Sequence, residues 1–244
     1  MHIGKQLFGA ALVILLALSS APVLAFDLQP FTASYKFNID NKLSGSATRT
    51  LEKKGSDNWL YTFAASAPMA TATETSSFRF DGRTVTPLQY TQQRKIFMSK
   101  RRSGIDFNWG TRKGSGKRDG KQPANYDLQA GTLDTLNLEV QIRRDIKDLG
   151  KLGGPYWIAS PKNIEKQPFV IDGEESITTP AGKFITLKVS RKHSDPSRHT
   201  TFWLAKTYDY LPVKVVQDND GALYTIELTS YKPATSATTP TDVK

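Results

Sequence analysis

The sequence predicts an all-β, mainly antiparallel fold: a single-domain β-barrel, or a strongly curved sheet of hairpins, with one packed α-helix. Many short segments alternate apolar with polar residues, or are rich in β-branched and aromatic residues, as strands are. Gly, Pro, Asn and Asp separate these segments at the spacing typical of hairpins. Only one stretch, near 132–149, has apolar residues at helical spacing.

The first 25 residues are predicted to be a cleaved export signal. Lys5 provides a positive charge, residues 7–18 are apolar, and Val23-Leu24-Ala25 fits a cleavage site after Ala25. A retained membrane anchor is the alternative, but the apolar run is short for a span of about 20 residues. We therefore expect a soluble periplasmic protein that starts at Phe26.

The rest of the chain is expected to form one domain over 26–232 and a disordered tail over 233–244. The tail is rich in Thr, Ala, Pro and Ser, a composition that does not support a packed core. No segment after the signal is apolar enough to span a membrane. The chain has no Cys, which excludes disulfides, thiolate metal sites and cysteine nucleophiles.

The first half of the domain is predicted to be a series of strands. Aromatic and aliphatic residues alternate with polar ones, so that one face of the sheet is buried and the other is wet. The predicted strands cover 31–39, 44–53, the stretch around Trp59 to Phe63, 75–80 and 85–93.

Positive charge is concentrated in residues 94–121, the basic segment. It holds ten Lys and Arg and two Asp, a net charge of +8, whereas the chain after residue 25 carries +9 in total. We expect a strand pair here, with Ile96-Phe97-Met98 before a turn at Ser103-Gly104 and a Gly-rich basic loop over 110–120. Phe97, Met98, Phe107 and Trp109 are expected to pack one face of this hairpin on the core.

Two interpretations of the basic segment remain open. It is either a solvated hairpin whose charges prevent edge-to-edge pairing, or a surface that attracts an anionic partner. Export argues against nucleic acid as the partner; a lipid headgroup, lipopolysaccharide, an anionic wall polymer or an acidic protein fits better. The candidate binding residues are Arg101, Arg102, Arg112, Lys113, Lys117, Arg118 and Lys121.

No cofactor site is expected. Residues 110–118 superficially resemble a phosphate-binding loop, but five residues separate Gly110 from Gly116 where the motif has four. Arg118 also stands where the motif needs Ser or Thr to hold magnesium. The sequence therefore predicts no nucleotide site here.

The one helix is predicted over 132–149. Thr132 is a plausible N-cap, Asp134 favours the first turn, and Gly150 can end the helix. Leu138, Ile142, Ile146 and Leu149 form its apolar stripe. The stripe favours packing on the core over a role as a binding lid.

Residues 169–231 are predicted to form an antiparallel meander. Turn residues lie at 179–182 (Thr-Pro-Ala-Gly) and at 218–221 (Asp-Asn-Asp-Gly). The order Gly173-x-Glu175, residues 179–184 (Thr-Pro-Ala-Gly-Lys-Phe), 203–205 (Trp-Leu-Ala) and 211–214 (Leu-Pro-Val-Lys) resembles an exported bacterial family, domain of unknown function 3108. Residues 133–136 (Leu-Asp-Thr-Leu) also fit its pattern. The resemblance implies an envelope β-structure and supplies no catalytic residues.

The sequence offers little support for catalysis. His193 and His199 flank a predicted loop, and a Ser194, His193 and Asp195 triad would have to be built from adjacent residues, which rarely have the required geometry. Glu174 and Glu175 are consecutive, so on a strand they point to opposite faces and cannot act as an acid–base pair; Glu175 is a candidate for an inward, partnered carboxylate.

The expected function is therefore that of a non-enzymatic binding protein of the cell envelope. It would carry an apolar, lipid-like ligand or contact an envelope assembly through the basic segment. The alternative is a periplasmic hydrolase acting on cell-wall or lipid substrate. The interior distinguishes these hypotheses: a continuous apolar cavity supports carriage, a cleft with convergent catalytic groups supports hydrolysis, and a filled interior leaves surface interaction.

Overall fold

The computed structural model describes residues 26–193 and 195–234. The predicted signal peptide and residues 235–244 of the predicted tail lie outside the described residues. The described chain contains one α-helix, one short 3-10 helix and fifteen strands. Their bounds are β1 Phe31–Ile39, β2 Leu43–Lys53, β3 Asn58–Ala67, β4 Ala70–Phe80, β5 Val85–Ile96, β6 Ser99–Asn108, β7 Lys113–Arg118, β8 Lys121–Asp127, α1 Asn137–Leu149, β9 Tyr156–Ala159, β10 Ile164–Gln167, β11 Phe169–Thr179, β12 Gly182–Lys192, β13 Arg198–Ala205, the 3-10 helix Lys206–Tyr208, β14 Leu211–Asn219 and β15 Ala222–Pro233.

Thirteen of these strands form a single antiparallel sheet. Its order is β11-β12-β13-β14-β15-β1-β2-β3-β4-β5-β6-β7-β8, so strands that are consecutive in the chain are neighbours and β15 pairs with β1. The edge strands β8 and β11 do not pair with each other in the described chain, so the sheet is strongly curved but not closed. β9 and β10 form a separate pair. The predicted all-β, antiparallel fold with one helix is confirmed, in its curved-sheet form.

Several hairpin turns use the residues that the sequence indicated. Asp220 and Gly221 both have positive φ between β14 and β15, the conformation that a two-residue hairpin loop favours. The predicted Pro180 turn ends at Gly182, whose φ of 130° a side chain would disfavour. Asp40 and Asn41 make a similar left-handed turn between β1 and β2.

The predicted turn at Ser103-Gly104 is wrong. The chain reverses between β5 and β6 at Phe97 and Met98, and Ser103 and Gly104 lie inside β6. Gly104 is needed for a close approach, because a Cβ there would lie 2.8 Å from the carbonyl oxygen of Tyr90 on the neighbouring strand. The glycine is a packing requirement of the sheet, and it has no part in a turn.

The predicted loop over 110–120 is also wrong in its centre. Residues 113–118 form β7. A Cβ at Gly116 would lie 2.5 Å from the carbonyl oxygen of Pro161, so this glycine too permits a close backbone contact within a strand.

The helix begins later than predicted, at Asn137, and Asp134 rather than Thr132 closes the turn that leads into it. The Asp134 carboxylate accepts hydrogen bonds from the backbone N–H groups of Leu136 (2.9 Å) and Asn137 (3.0 Å). The Asn137 side-chain oxygen accepts in return from the backbone N–H of Asp134, at 2.9 Å. This reciprocal arrangement satisfies N–H groups that a helix start leaves free. The predicted end is confirmed, since Gly150 adopts a left-handed φ of 66°.

The same aspartate also attaches the start of the helix to the sheet. Asp134 is fully buried, and the hydroxyl of Ser76 on β4 donates to it at 2.6 Å. Leu138, Ile142 and Ile146 of the predicted apolar stripe are buried, whereas Leu149, in the last turn, is exposed. The helix therefore packs on the core. No helix in the described residues is long and apolar enough to cross a membrane.

Asp134 should make the stability of the protein depend on pH. Burial raises its pKa from 3.8 to about 7, although hydrogen bonds from Ser76 and from the backbone of Asn137 act in the opposite direction. Because the folded-state pKa is the higher one, the stabilisation is fully present below the unfolded pKa and is lost as the pH rises through about 7. We expect the free energy of unfolding to fall by a few kcal/mol, at about 1.4 kcal/mol for each pKa unit.

Urea denaturation of the wild type and of Asp134→Asn, at several pH values from about 4 to 8, measures this effect. Burial also lowers the pKa of His193, which makes the stability rise with pH. This contribution is the same in both proteins, so the difference between their pH slopes reports on Asp134. Equal pH slopes in the two proteins would contradict the prediction.

Candidate functional site

The basic segment is built from four neighbouring strands, and the structure divides its seven candidate residues. Arg101 and Arg102 lie in the first half of β6, and Arg118 at the end of β7 lies opposite Ser103. Lys121 at the start of β8 lies opposite Arg118. These four residues, with Lys117, lie towards one end of the sheet. That end includes the β5–β6 hairpin tip.

Arg112 and Lys113 lie at the other end of the same strands. Lys113 is opposite Asn108, the last residue of β6. Asn108 lies seven positions after Arg101, so at about 3.3 Å for each residue of a strand the outermost members of the two groups are about 23 Å apart. The seven candidates therefore do not form one site.

Two like-charged pairs extend the first group beyond the predicted residues. Arg94 lies directly opposite Arg101 across β5 and β6, and Lys95 lies opposite Lys100. Like charges in these positions destabilise a sheet. In the described chain no carboxylate oxygen lies within 4 Å of these four cationic groups. Their positive charge is not compensated locally.

Protection of a sheet edge does not explain all four charges. β7 reaches only as far as Ser103 on β6, so Lys100 and Arg101 border a locally unpaired edge. Arg94 and Lys95, in contrast, pair with β4 on one side and β6 on the other. Edge protection therefore accounts for the charges of Lys100 and Arg101 but does not explain those of Arg94 and Lys95 on β5.

Two of the predicted lysines are neutralised. Lys117 donates to Asp106 at 2.6 Å, and Lys113 donates to Asp127 at 2.5 Å. Hydrogen bonds from Lys117 and Gln89 hold the pKa of Asp106 below its usual value. Because each lysine already has an acidic partner, these two side chains offer less to an anionic ligand than the pairs on β5 and β6.

A surface hollow of about 440 Å³ lies over the same strands. Arg102, Lys117 and Arg118 line it, together with Asp106 and Asp119. Asp119 also accepts a hydrogen bond from the backbone N–H of Arg102, at 2.7 Å. Since the lining carries both signs of charge, the hollow is a weaker anion site than the strand ends above it.

The apolar residues of the β5–β6 turn are exposed. Phe97 is 60% exposed and Met98 97% exposed, so the expectation that both pack on the core is wrong. They occupy the tip of the hairpin, beyond the part of the sheet that the helix covers. Phe107, one of the other two residues in that expectation, is buried, and Trp109 is half-buried and donates to the carbonyl of Pro87 at 2.6 Å.

A second hairpin tip stands beside the first. The backbone N–H of Phe97 donates to the carbonyl oxygen of Met69, in the β3–β4 turn, at 2.8 Å. Met69 and Ile96 are also exposed. The four exposed residues Ile96, Phe97, Met98 and Met69 form what we call the apolar tip, and the pairs Arg94–Arg101 and Lys95–Lys100 border it.

In the described part of the loop with the two histidines, the imidazole and the carboxylate contact different hydroxyl groups. His193 Nε2 is 2.9 Å from the hydroxyl of Thr200, and the Asp195 carboxylate accepts both the backbone N–H and the hydroxyl of Ser197. Ser194 lies outside the described residues. No group of three or more His, Cys, Asp or Glu residues in the described chain could hold a metal ion.

The two consecutive glutamates are surface groups. Glu174 pairs with Lys206, and Glu175 accepts from the indole N–H of Trp203 at 3.0 Å and lies 3.7 Å from Lys188. Glu175 is exposed, so the expectation of an inward carboxylate is wrong. The bulge between Ile171 and Gly173 shifts the register of β11 here.

The family model described as "Protein of unknown function (DUF3108)" matches residues 31–229. The chain belongs to this family. The match covers the described sheet from β1 into β15, which confirms the resemblance seen in the sequence. No curated protein matches the chain.

A solved structure is similar to this DUF3108 protein in fold. It is the crystal structure of the β-barrel-like protein of domain of unknown function DUF1849 from Brucella abortus. The match covers 86% of this chain and 100% of that chain, with 12% sequence identity and a TM-score of 0.58. At this identity the similarity shows the fold alone.

The like-charged pairs lead to a stability prediction. Arg101→Gln removes the repulsion with Arg94, so we expect it to raise the free energy of unfolding at low salt by roughly 0.2–1 kcal/mol. The gain should shrink at high salt, which screens the repulsion. Thermal denaturation at two salt concentrations measures both effects.

Lys117→Gln is the matched control, because it removes the same charge from the same surface but also breaks the contact with Asp106. We expect no gain from it. Equal stabilisation by the two variants would mean that net charge alone matters, and that the cross-strand pair does not.

Proposed function

We propose that this protein is an exported, non-enzymatic binding protein of the cell envelope that attaches to an anionic lipid surface through the apolar tip. The observation that carries the proposal is the position of the uncompensated pairs Arg94–Arg101 and Lys95–Lys100 directly beside four exposed apolar side chains. The rest of the proposal follows from the chemistry of these two groups.

The apolar tip suits the boundary between headgroups and acyl chains. Transfer of a Phe or Met side chain out of water is favourable by about 1.5–3 kcal/mol. Each Lys or Arg near an anionic membrane surface adds about 1 kcal/mol. Insertion of Phe97 and Met98 would bring the four bordering cations to the depth of the headgroups, so both contributions can act in one orientation.

A lipid surface accounts for more of the site than the other anionic partners do. A wall polymer or an acidic protein region offers negative charge, but charge alone gives Phe97 and Met98 no apolar surroundings. Exposed apolar side chains with basic neighbours are a feature of interfacial membrane binding. We therefore favour lipid as the partner.

The interior does not favour carriage of a whole lipid. The cavity between α1 and the sheet is about 100 Å³, and aromatic and aliphatic side chains fill the space around it. The hydrolase hypothesis gains no specific support, because in the described residues no His links a hydroxyl to a carboxylate as a catalytic triad requires. His193 contacts the hydroxyl of Thr200, whereas the Asp195 carboxylate accepts from Ser197. Surface interaction is the hypothesis that the filled interior leaves.

Vesicle sedimentation tests the proposal. We expect the wild type to bind vesicles that contain phosphatidylglycerol, and to bind neutral phosphatidylcholine vesicles much more weakly. Phe97→Ser with Met98→Ser should reduce binding by about tenfold or more, given the transfer energies of these side chains. Arg94, Lys95, Lys100 and Arg101 changed together to Gln should remove the preference for anionic vesicles and its dependence on salt.

Two matched controls keep the test specific. Ile185→Ser removes an equally exposed apolar residue from β12, and Arg112→Gln with Lys113→Gln removes positive charge from the opposite end of the basic strands. Both should bind as the wild type does. Wild-type binding by the Phe97 and Met98 variant would overturn the proposal, and binding of an acidic polymer but not of vesicles would point to a protein or wall partner.

A further inference from the structure

The cavity between the helix and the sheet contains a charge arrangement that its structural role does not explain. Arg49 from β2 and Arg143 and Glu139 from α1 line it. Glu139 is the only carboxylate among its lining residues in the described chain, and it faces both guanidinium groups. Arg49 contacts one carboxylate oxygen, and Arg143 Nη1 lies 3.9 Å from the other. The cluster therefore carries a net charge of +1.

Each arginine keeps a donor that nothing in the described residues accepts. Arg143 is 4% exposed; its Nε donates to the backbone carbonyl of Asp209 at 2.9 Å, but its Nη1 has no hydrogen-bond partner. Arg49 Nε is likewise buried without a partner. A buried donor left unsatisfied is costly, more so on a charged group. Two such donors beside one cavity indicate a place for an acceptor.

The other walls of the cavity are apolar. They come from the helix and from strands β11 to β14, and they are Leu136, Leu138, Ile142, Phe169, Val189, Phe202, Leu204 and Pro212. Solvent reaches the polar end, since the side chains of Arg49 and Glu139 are 12% and 13% exposed. The exposed residue Thr135 also lines the cavity. A ligand has an apolar wall, a cationic end and a path of entry.

We infer that this cavity is a binding site for a monoanionic carboxylate with a short apolar chain. A monoanion would neutralise the net charge of +1, whereas a dianion such as a phosphate monoester would reverse it. A carboxylate has two acceptor oxygens, so it can take one charge-assisted hydrogen bond from each of the two unpaired arginine donors. A volume of about 100 Å³ equals that of roughly three waters, which limits the enclosed chain to a few methylene groups.

This site is separate from the apolar tip. It lies among α1, β2 and β11 to β14, and none of the residues of the tip or of its basic border lines it. The inference therefore does not depend on the proposed attachment to lipid, and each can fail without the other.

Titration calorimetry with butyrate, hexanoate and octanoate at neutral pH tests the inference. We expect one carboxylate to bind to each protein molecule. The affinity should rise with the length of the hydrocarbon chain and then level off once the enclosed volume is filled. Hexan-1-ol, which is neutral, and hexylamine, which is a cation at this pH, have the same number of carbon atoms as hexanoate. Both should bind at least about tenfold more weakly, because neither brings a negative charge to the two arginines.

Thr135→Trp is the main variant, because it places a large side chain at the cavity without altering the buried charges. It should abolish hexanoate binding and leave the fold and vesicle binding unchanged. Arg143→Gln, which loses the cationic donor, should weaken binding by about tenfold or more. If Arg143→Gln does not fold, the Thr135 variant and the comparison with hexan-1-ol still decide the question.

Three results would overturn the inference. Equal binding of hexanoate and hexan-1-ol would show an apolar cavity without anion selectivity. Hexanoate binding that survives Thr135→Trp would place the ligand elsewhere. Absence of binding for all three carboxylates would mean that the two arginines serve only to hold the helix, with water on their free donors.

Discussion

The difference in length between the helix and the strands is the constraint on which the rest of the structure depends. At 1.5 Å for each residue, the thirteen residues of α1 span about 20 Å. The strands of β2 to β5, ten to twelve residues each, reach about 33–40 Å. One helix can therefore cover only one end of the sheet. Burial follows this division: in β4 and β5 the buried side chains lie in the half that contains Phe78, Phe80 and Val85, and the other half is open.

The same helix concentrates the buried charge of the molecule. Glu139 contacts Arg49 and accepts from the hydroxyl of Tyr61 at 2.7 Å, and Arg143 donates to the backbone just before β14. These contacts attach α1 to two separate parts of the molecule: strands β2 and β3, and the 3-10 helix with the residue that follows it. Removing one member would leave a buried charge without its partner, which costs more than the pair contributes. Attachment of the helix and the chemistry of the cavity thus depend on the same side chains.

Sequence patterns predicted the parts of the fold that local chemistry controls. The alternation of apolar and polar residues predicted the strands, Asp220-Gly221 predicted the turn between β14 and β15, and Gly150 predicted the end of the helix. The turn errors occurred where glycine is needed for packing. Gly104 and Gly116 look like turn residues in the sequence, but they lie in strands, and they are glycines because a neighbouring backbone comes too close for a Cβ. A single sequence does not show such contacts between strands that are paired only in three dimensions.

The candidate site was predictable in composition but not in arrangement. Charge counting located the basic segment, yet the register that sets Arg94 against Arg101, and the exposure of Phe97 and Met98, depend on where the hairpin turns. A shift of the turn from Ser103 to Phe97 moves the apolar residues from the core to the tip. The cavity charges were missed because Arg49, Glu139 and Arg143 are far apart in the chain, and nothing in their local sequence marks them as partners.

The arrangement at the uncovered end of the sheet explains why charge and apolar surface occur together there. Arg94 lies four residues from the buried Tyr90 on the same strand, so it and Arg101 point to the concave face, whereas Lys95 and Lys100 point to the convex face. Positive charge thus borders the apolar tip on both sides of the sheet. A flat protein surface could meet only one face of this hairpin. A fluid layer of anionic headgroups around an inserted apolar tip can meet both, which is why two repulsive pairs and four exposed apolar residues are together consistent with one partner.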